Sequence, residues 1–311
     1  MVTELTRIVV VFDQWDYVRR WIGDSSLFTD RRIAWMVVND APHAPCPDDL
    51  RAIFATRSIR LVENAFNLGR SETRNSAARL ADSPWIEFID GDDLPLSIDL
   101  DALPDHKGNQ LLHFAHRTYR LVGNRVEIST ELEPPHPLYW EIVLIRHLPP
   151  LTCRPACLIF PREHFLAIGG FDGRFDTCED LHLIWKLDQT GISVAMVNVP
   201  KQLYRIAGGQ SIDPEVIGFY THRLLRLAAR SADDSSAADG IDTHADAQAL
   251  RAIRSLHEEL TAHYARSPSR HIDTRRDVSD LFWRARDTFL RECRPGLTHR
   301  LREALKLVLR R

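Results

Sequence analysis

The chain has 311 residues, of which 44% are hydrophobic and 27% are charged, and its formal net charge at pH 7 is −3. That length can bury a sizeable core, in one large domain or in one domain with an appendage. No run approaches the roughly 18 apolar residues of a membrane span. The N-terminus leads at once into a predicted strand, so no signal peptide is expected. Five cysteines, an odd number, suit a reducing compartment, and we expect a cytoplasmic protein.

Strand and helix patterns alternate through the first two hundred residues. Apolar runs predict strands at 8–12, 33–38, 59–62, 85–89 and 193–199. Amphipathic spacing predicts helices at 16–28, 48–54 and 71–80, and a further helix through Leu183 and Leu187 that Gly191 ends. The section 111–155 is predicted to be rich in strands. The alternation favours an α/β fold with a mostly parallel central sheet and helices on its faces.

The C-terminal third differs in character. Helices are predicted at 214–230, 247–265, 278–292 and 297–310, and a polar linker rich in Ser, Ala and Asp at 231–246. From Arg266 to Arg311 there are thirteen Lys and Arg residues against six Asp and Glu residues. This basic region is physically distinct from the acidic remainder. We therefore divide the chain into a domain at 1–213 and a helical C-terminal extension at 214–311.

The last predicted helix carries an apolar stripe of Leu297, Leu301, Leu305 and Val308 within a basic surround. Such a helix can lie on an anionic membrane surface, which would place the protein at the inner face of the cell membrane. Alternatively, the stripe docks on the preceding domain and the arginines are solvated.

An acidic motif, Asp90-Gly91-Asp92-Asp93, follows the predicted strand at 85–89. Close carboxylates repel one another, and a cation relieves that repulsion. Carboxylate oxygens suit Mg²⁺ or Mn²⁺, which often also hold substrate phosphates, and ligands bind at the carboxyl ends of strands in such sheets. The alternative is a solvated acidic turn, since Asp-Gly is a common turn dipeptide.

Taken in order, several motifs resemble those of the inverting glycosyltransferases of family two, which have the GT-A fold. The resemblance covers about residues 5–212. The motifs that carry it are Asp40 at a strand end, Asn67-x-Gly69 with Arg74-Asn75, the acidic motif, Gly169-Gly170-Phe171-Asp172, and Glu179-Asp180.

The resemblance implies a metal-dependent, hexosyltransferase-type enzyme with the GT-A fold, a Rossmann-like sheet. It would move a sugar from a nucleotide-diphosphate sugar, most simply a UDP-sugar, to a hydroxyl of a glycan, lipid-linked or small-molecule acceptor, as in the biosynthesis of cell-surface glycans or glycolipids. Asp180 would be the catalytic base, and Asp92 with Asp90 would bind Mn²⁺ or Mg²⁺. The nucleotide-sugar site would comprise Asp13, Asp40, Asn67, Gly69, Arg74, Asp90, Glu179 and Arg205. No nucleic acid partner is expected, and a homo-oligomer is left open.

Most of these residues also have a structural interpretation. Asp40 could be a turn or cap residue, and Asn67 and Gly69 could shape the loop before the helix. Arg74 could lie on the helix surface, paired with Glu72 or Asp40. The pair Glu179-Asp180 could be an ordinary helix N-cap.

Two departures from the family pattern affect these expectations. The first strand ends in Val10-Val11-Phe12-Asp13, where the family usually has Pro-Thr-Tyr-Asn or similar, so the nucleotide preference is open. After Tyr204-Arg205, many members carry a histidine where this chain has Ala207. This weakens the case for a tightly held metal. Arg205 would then take more of the diphosphate charge, or would be an ordinary surface arginine.

Two other functional classes fit part of the pattern. A phosphatase of the haloacid-dehalogenase type also places Asp-x-Asp after a strand, with Asp90 as nucleophile and Asp92 as acid. Against it, the next residue of that pattern, normally Thr or Val, is Leu94 here, and the motif usually opens the domain. The other class is a non-catalytic binding protein with a GT-A-like fold.

Overall fold

The computed structural model describes residues 3–104, 110–132, 135, 155–175 and 179–206. All of them fall in one of two compact units of the chain, which comprises Met1–Leu138 and Thr152–Gly209. The other unit, Tyr139–Leu151 with Gln210–Arg311, lies outside the described residues. The same holds for the predicted linker, the helical extension and the basic stripe, so the boundary at 213 and the membrane contact stay predictions. No helix in the described ranges is long and apolar enough to cross a membrane.

Nine strands and five α-helices make up the described fold. The strands are β1 Leu5–Val11, β2 Ile33–Asn39, β3 Arg60–Glu63, β4 Trp85–Asp90, β5 Leu94–Pro95, β6 Gln110–Val122, β7 Arg125–Ile128, β8 Leu158–Pro161 and β9 Ser193–Arg205. The helices are α1 Trp15–Trp21, α2 Asp48–Thr56, α3 Gly69–Leu80, α4 Arg162–Ala167 and α5 Glu179–Gln189.

The single helix predicted at 16–28 is wrong in one respect. Helix α1 ends at Trp21, and a separate 3-10 helix, Ser25–Phe28, follows it. The side chain of Asp24 accepts a hydrogen bond from the Ser26 amide and caps this second helix. Because a capping aspartate favours a new helix start, the apolar residues that predicted one helix are divided between two short helices.

The nine strands form one sheet in the order β3-β2-β1-β4-β8-β6-β9-β5, and β7 pairs with β6. The longest pairings are parallel, those of β1 with β2 and β4 and of β6 with β9. Strand β8 enters antiparallel between β4 and β6. This confirms the α/β fold with a mostly parallel sheet. The carboxyl ends of β1, β2 and β4 therefore lie along one edge, where the acidic motif begins.

Aromatic packing fixes the chain that follows β8. Phe88 of β4 lies 5.3 Å from Phe165 of α4 and 5.5 Å from Phe171, measured between ring centroids. Phe160 of β8 packs on Phe165 at 5.4 Å. All four side chains are buried. Ring pairs at this spacing contribute beyond their burial, so the loop after α4 is held against the sheet.

A buried ionic cluster, Arg7, Glu87 and Lys201, joins β1, β4 and β9. Arg7 Nε and Nη2 both lie 2.8 Å from Glu87 Oε1, and Lys201 Nζ lies 3.6 Å from the same oxygen. Arg7 also donates to the carbonyls of Leu96 at 2.6 Å and Lys201 at 3.0 Å. Its guanidinium lies 4.7 Å from the ring centroid of Trp35. The cluster ties Leu96, directly after β5, and Lys201 of β9 to β1 and β4.

Candidate active site

The acidic motif leaves β4 in a tight turn against β1. Asp93 donates its amide to the Asp90 carbonyl at 2.9 Å. A Cβ atom on Gly91 would lie 2.8 Å from the carbonyl oxygen of Val10 and would also collide with the Gln14 side chain. Only glycine fits there without a shift of the backbone. Tyr119 Oη donates to the Asp92 carbonyl at 2.5 Å, so β6 fixes the turn from its other side.

Asp92 forms an ion pair with Arg205 at the end of β9. Both Nε and Nη2 of Arg205 lie 2.8 Å from Asp92 Oδ2. The guanidinium also lies over the ring of Tyr17, 4.8 Å from its centroid. Burial alone would lower the pKa of Arg205, but the Asp92 carboxylate raises it above its ordinary value. Arg205 thus places a positive charge against the carboxylate predicted to bind metal.

Asp93 holds the main chain of β9. Its Oδ2 accepts from Gln202 Nε2 at 2.7 Å, and its Oδ1 accepts from the backbone amide of Arg205 at 2.9 Å. Asp93 is buried, with 1% of its surface exposed. Its carboxylate is therefore a structural anchor between the acidic motif and β9.

Arg74 of α3 connects the acidic motif to the start of α5. Its Nη2 lies 2.5 Å from Asp90 Oδ1, and its Nη1 lies 3.2 Å from Glu179 Oε1. The side chain is buried, so it is not the helix-surface arginine of the structural alternative, and its partners are neither Glu72 nor Asp40. Burial opposes the charge of Arg74, but these two carboxylates outweigh it and raise its pKa.

Glu179 and Asp180 form the first turn of α5. Glu179 is buried, whereas Asp180 is partly exposed. Burial, and then the charge of Asp180, raise the pKa of Glu179, while Arg74 and Arg70 oppose this shift. The arrangement presents one shielded carboxyl and one solvent-accessible carboxylate at the same helix start. The accessible one can take up a proton from a bound hydroxyl.

The loop between α4 and α5 is fastened to α3 by Asn75. The Asn75 side chain donates to the Phe171 carbonyl and accepts from the Phe171 amide, both at 2.8 Å. Gly170 has φ +55°, and an added Cβ there would collide with Asn75. Within the same loop, hydrogen bonding to Arg174 lowers the pKa of Asp172 to about 2.

Asp40, directly after β2, accepts hydrogen bonds from the segment that leads into α3. Oδ1 accepts from the Leu68 amide and the Asn64 side chain, each at 2.8 Å, and Oδ2 accepts from the Gly69 amide at 2.9 Å. The side chain is buried. This geometry matches the cap interpretation of Asp40, since it fixes the loop that starts α3. Its nucleotide role stays a prediction.

The other predicted nucleotide residues lie near the same edge. Asn67 Oδ1 accepts from the Gly69 amide at 2.7 Å, and Gly69 has φ +78°, so both shape the start of α3. Asp13, just past β1, is exposed and has φ 57°. Beside it, Phe12 is 47% exposed and meets His43 edge-on at 5.6 Å. An exposed aromatic ring at this edge offers a surface on which a base can stack.

A divalent cation would have to be shared with a ligand at this site. Among the described residues, no three His, Cys, Asp or Glu side chains form a metal-binding group. Asp90 and Asp92 do supply hard oxygen donors at one strand end. That set fits an ion such as Mg²⁺, which is commonly bound by one or two carboxylates plus substrate phosphates.

The structure thus brings Asp90, Arg74 and Glu179 together, and separately brings Asp92 and Arg205 together. Sequence reasoning missed Tyr119 and Gln202, which hold the motif. Tyr119 is 27 positions from Asp92, and Gln202 is 109 positions from Asp93. Partners that far apart carry no local sequence signal.

Comparison with known proteins agrees with this geometry. Residues 6–138 match the family model described as Glycosyl transferase family 2. No curated protein matches the sequence. Among solved structures, TarS 1-349 of S. aureus is 17% identical, with TM-score 0.56 over 91% of this chain and 80% of that one. The same protein in complex with UDP-GlcNAc gives 17% identity and TM-score 0.56 over 93% and 81% of the two chains. Its complex with UDP gives 16% identity and a TM-score of 0.52 over 95% of this chain and 93% of that one. Residues 6–138 of this chain are therefore similar to glycosyl transferase family 2, and the fold matches that of the GT-A neighbours.

Proposed function

We propose that this protein is an inverting glycosyltransferase that moves a sugar from a UDP-sugar to a hydroxyl acceptor. The observation that carries the proposal is the Arg74 bridge. It places the acidic motif and the start of α5 on the two sides of one buried guanidinium, at 2.5 Å from Asp90 and 3.2 Å from Glu179. This bridge supports the proposal, because it holds the proposed donor site and the helix start that carries the proposed base close together.

The donor would bind along the carboxyl ends of β1, β2 and β4. TarS, a similar fold, is known in complex with UDP-GlcNAc and with UDP, which supports a UDP-sugar as the donor here. Phe12 and Asp13 would contact the base, and Arg205 would contact the diphosphate, because a guanidinium matches phosphate oxygens geometrically. A divalent cation held by Asp92, with Asp90, would neutralise the leaving diphosphate.

Asp180 would act as the base. Its carboxylate takes the proton from the acceptor hydroxyl while that oxygen attacks the anomeric carbon opposite the diphosphate. One displacement with one base inverts the anomeric configuration. Glu179 and Arg74 contribute by fixing the helix start, so the Asp180 carboxylate does not have to be ordered when the acceptor arrives.

Replacement of Asp180 tests the proposal. Asp180→Asn removes the proton acceptor at constant size, so turnover should fall by roughly 10²- to 10⁴-fold, while UDP still raises the melting temperature as in the wild type. Asp82→Asn, at an exposed carboxylate before β4, is the matched control and should keep full activity. Turnover can be measured as UDP released from a panel of UDP-sugars.

The outcomes separate the alternatives. Wild-type turnover in Asp180→Asn would remove the base assignment. Failure to bind any nucleotide sugar with Mn²⁺ would favour the non-catalytic binding protein. Release of phosphate from simple phosphate esters, without a sugar donor, would favour the phosphatase, although the family match and the fold both favour a transferase.

A further inference from the structure

Arg205 and a divalent metal ion would both bind the carboxylate of Asp92. The Arg205 guanidinium places two nitrogens 2.8 Å from Asp92 Oδ2, and Asp92 is the carboxylate assigned to the metal. Two cations cannot share one carboxylate oxygen at contact distance without strong repulsion. While Arg205 holds Asp92, metal binding there is therefore weakened.

The guanidinium can leave without any movement of the backbone around it. The Arg205 amide is fixed by Asp93 at 2.9 Å, and the Asp92 carbonyl is fixed by Tyr119 at 2.5 Å. The Arg205 side chain retains 20% exposure and lies over the Tyr17 ring rather than in the core. A change of its side-chain rotamers is enough to exchange one anion for another.

We propose that Arg205 is an internal cation that occupies Asp92 until a nucleoside diphosphate draws its guanidinium away, so that the metal affinity of Asp92 depends on the nucleotide. The inference rests on the proposed function, from which it takes the diphosphate and the metal. A diphosphate competes well for Arg205, because its oxygens accept two parallel hydrogen bonds from the guanidinium fork.

The exchange couples two ligands through one side chain. Nucleotide binding removes the competing charge from Asp92, and metal binding at Asp92 frees Arg205 for the diphosphate. By linkage, each ligand must raise the affinity of the other by the same factor. Loss of the Arg205 charge should leave the carboxylate available to metal without nucleotide.

The test measures Mn²⁺ binding to the full chain by electron paramagnetic resonance of the free ion, without UDP and with saturating UDP. Without UDP, Arg205→Met should bind Mn²⁺ roughly 5- to 150-fold more tightly than the wild type, the usual range of such couplings. Arg120→Met is the matched control. It removes a guanidinium that pairs with Glu127 on the exposed β6–β7 hairpin at 2.7 Å, and it should leave Mn²⁺ affinity unchanged.

Circular dichroism checks the fold, and Arg205→Gln replaces Arg205→Met if the latter does not fold. When Asp92→Asn is added to the Arg205 variant, the increase in Mn²⁺ affinity should disappear. That result would show that the increase comes from the Asp92 carboxylate. Equal Mn²⁺ affinity of the wild type and Arg205→Met without UDP would overturn the inference and leave the transferase standing. Absence of Mn²⁺ binding in every variant would also overturn the inference. UDP binding measured in the presence of a metal chelator then tests the donor site without any metal.

Discussion

Replacement of Arg7 by methionine tests how much the fold depends on its buried ionic cluster. The change keeps much of the side-chain length but strands Glu87, whose side chain is fully buried with Oε1 2.8 Å from the lost guanidinium. Removing one partner of a buried ion pair costs about 3–5 kcal/mol. Lys201 Nζ, 3.6 Å from the same oxygen, compensates in part, so we expect a value near the lower end, about 3 kcal/mol.

The lost hydrogen bonds to main-chain carbonyls add to that cost. Arg7 donates to the part-buried Leu96 carbonyl at 2.6 Å and to the Lys201 carbonyl at 3.0 Å. The Lys201 carbonyl still accepts from the Leu96 amide at 2.9 Å, so the added cost falls mainly on the Leu96 carbonyl, and a buried acceptor left without a donor costs about 1–3 kcal/mol. Urea unfolding followed by tryptophan fluorescence measures the total, and Trp35, against which Arg7 packs, reports locally. The control is Arg120→Met, an exposed pair expected to change stability by about 1 kcal/mol or less.

A triple replacement separates the ionic cost from the carbonyl cost. Arg7→Met, Glu87→Leu and Lys201→Met together remove every charge of the cluster, and apolar replacement of a buried ion cluster is often neutral or stabilising. Both the single and the triple variant lose the two carbonyl bonds. The triple variant should therefore be the more stable of the two. The reasoning is wrong if Arg7→Met costs no more than Arg120→Met, or if the three single effects simply add.

Three further changes give distinct expectations. Gly91→Ala should destabilise the protein by at least about 1–3 kcal/mol through overpacking, because its Cβ would lie 2.8 Å from a β1 carbonyl oxygen, whereas Gly173→Ala meets nothing within 4 Å. Because hydrogen bonding to Arg174 lowers the pKa of Asp172 to about 2 from 3.8, its stabilising effect is present above pH 3.8 and is lost as the pH falls towards 2. If the basic helix binds membranes, the full-length protein should co-sediment with anionic vesicles, less so at high salt, and not after deletion of 297–311.

Each of these three predictions has an outcome that would contradict it. Melting temperatures that fall equally for the two glycine variants would refute the close approach of the acidic turn to β1. The stability difference between the wild type and Asp172→Asn, measured by urea unfolding from pH 5 to pH 2, should shrink on acidification, and a constant difference contradicts the assignment. Full-length protein that stays in the supernatant at low salt excludes the membrane interpretation.

Local sequence patterns correctly predicted the strands whose residues are almost all apolar and buried. The apolar runs at 33–38 and 85–89 are β2 and β4 within one residue at each end, and the acidic motif was correctly placed at a strand end. Strand β9 was predicted to end at residue 199 but continues to Arg205. Its last part holds Lys201, Gln202 and Arg205, polar side chains whose partners lie on other strands. A periodicity of apolar residues cannot detect such a continuation.

Partner assignments were harder to predict than positions. The structural alternative paired Arg74 with Glu72 or Asp40, whereas its partners lie 16 and 105 positions away in the chain. The carboxylate of Asp93 likewise bonds to distant residues, Gln202 and Arg205 of β9. These contacts depend on the order of strands in the sheet, which no single segment encodes.

Helix α3 gives the site a cooperative character. Its first amides, at Leu68 and Gly69, bond to Asp40 of β2, and its middle residues Arg74 and Asn75 hold the start of α5 and the Phe171 loop. The loop cannot detach from α3 without loss of two buried hydrogen bonds. Local openings in proteins follow such cooperative units. The segment at Phe171 is therefore expected to open together with α3, as part of the scaffold, and not as an independent lid.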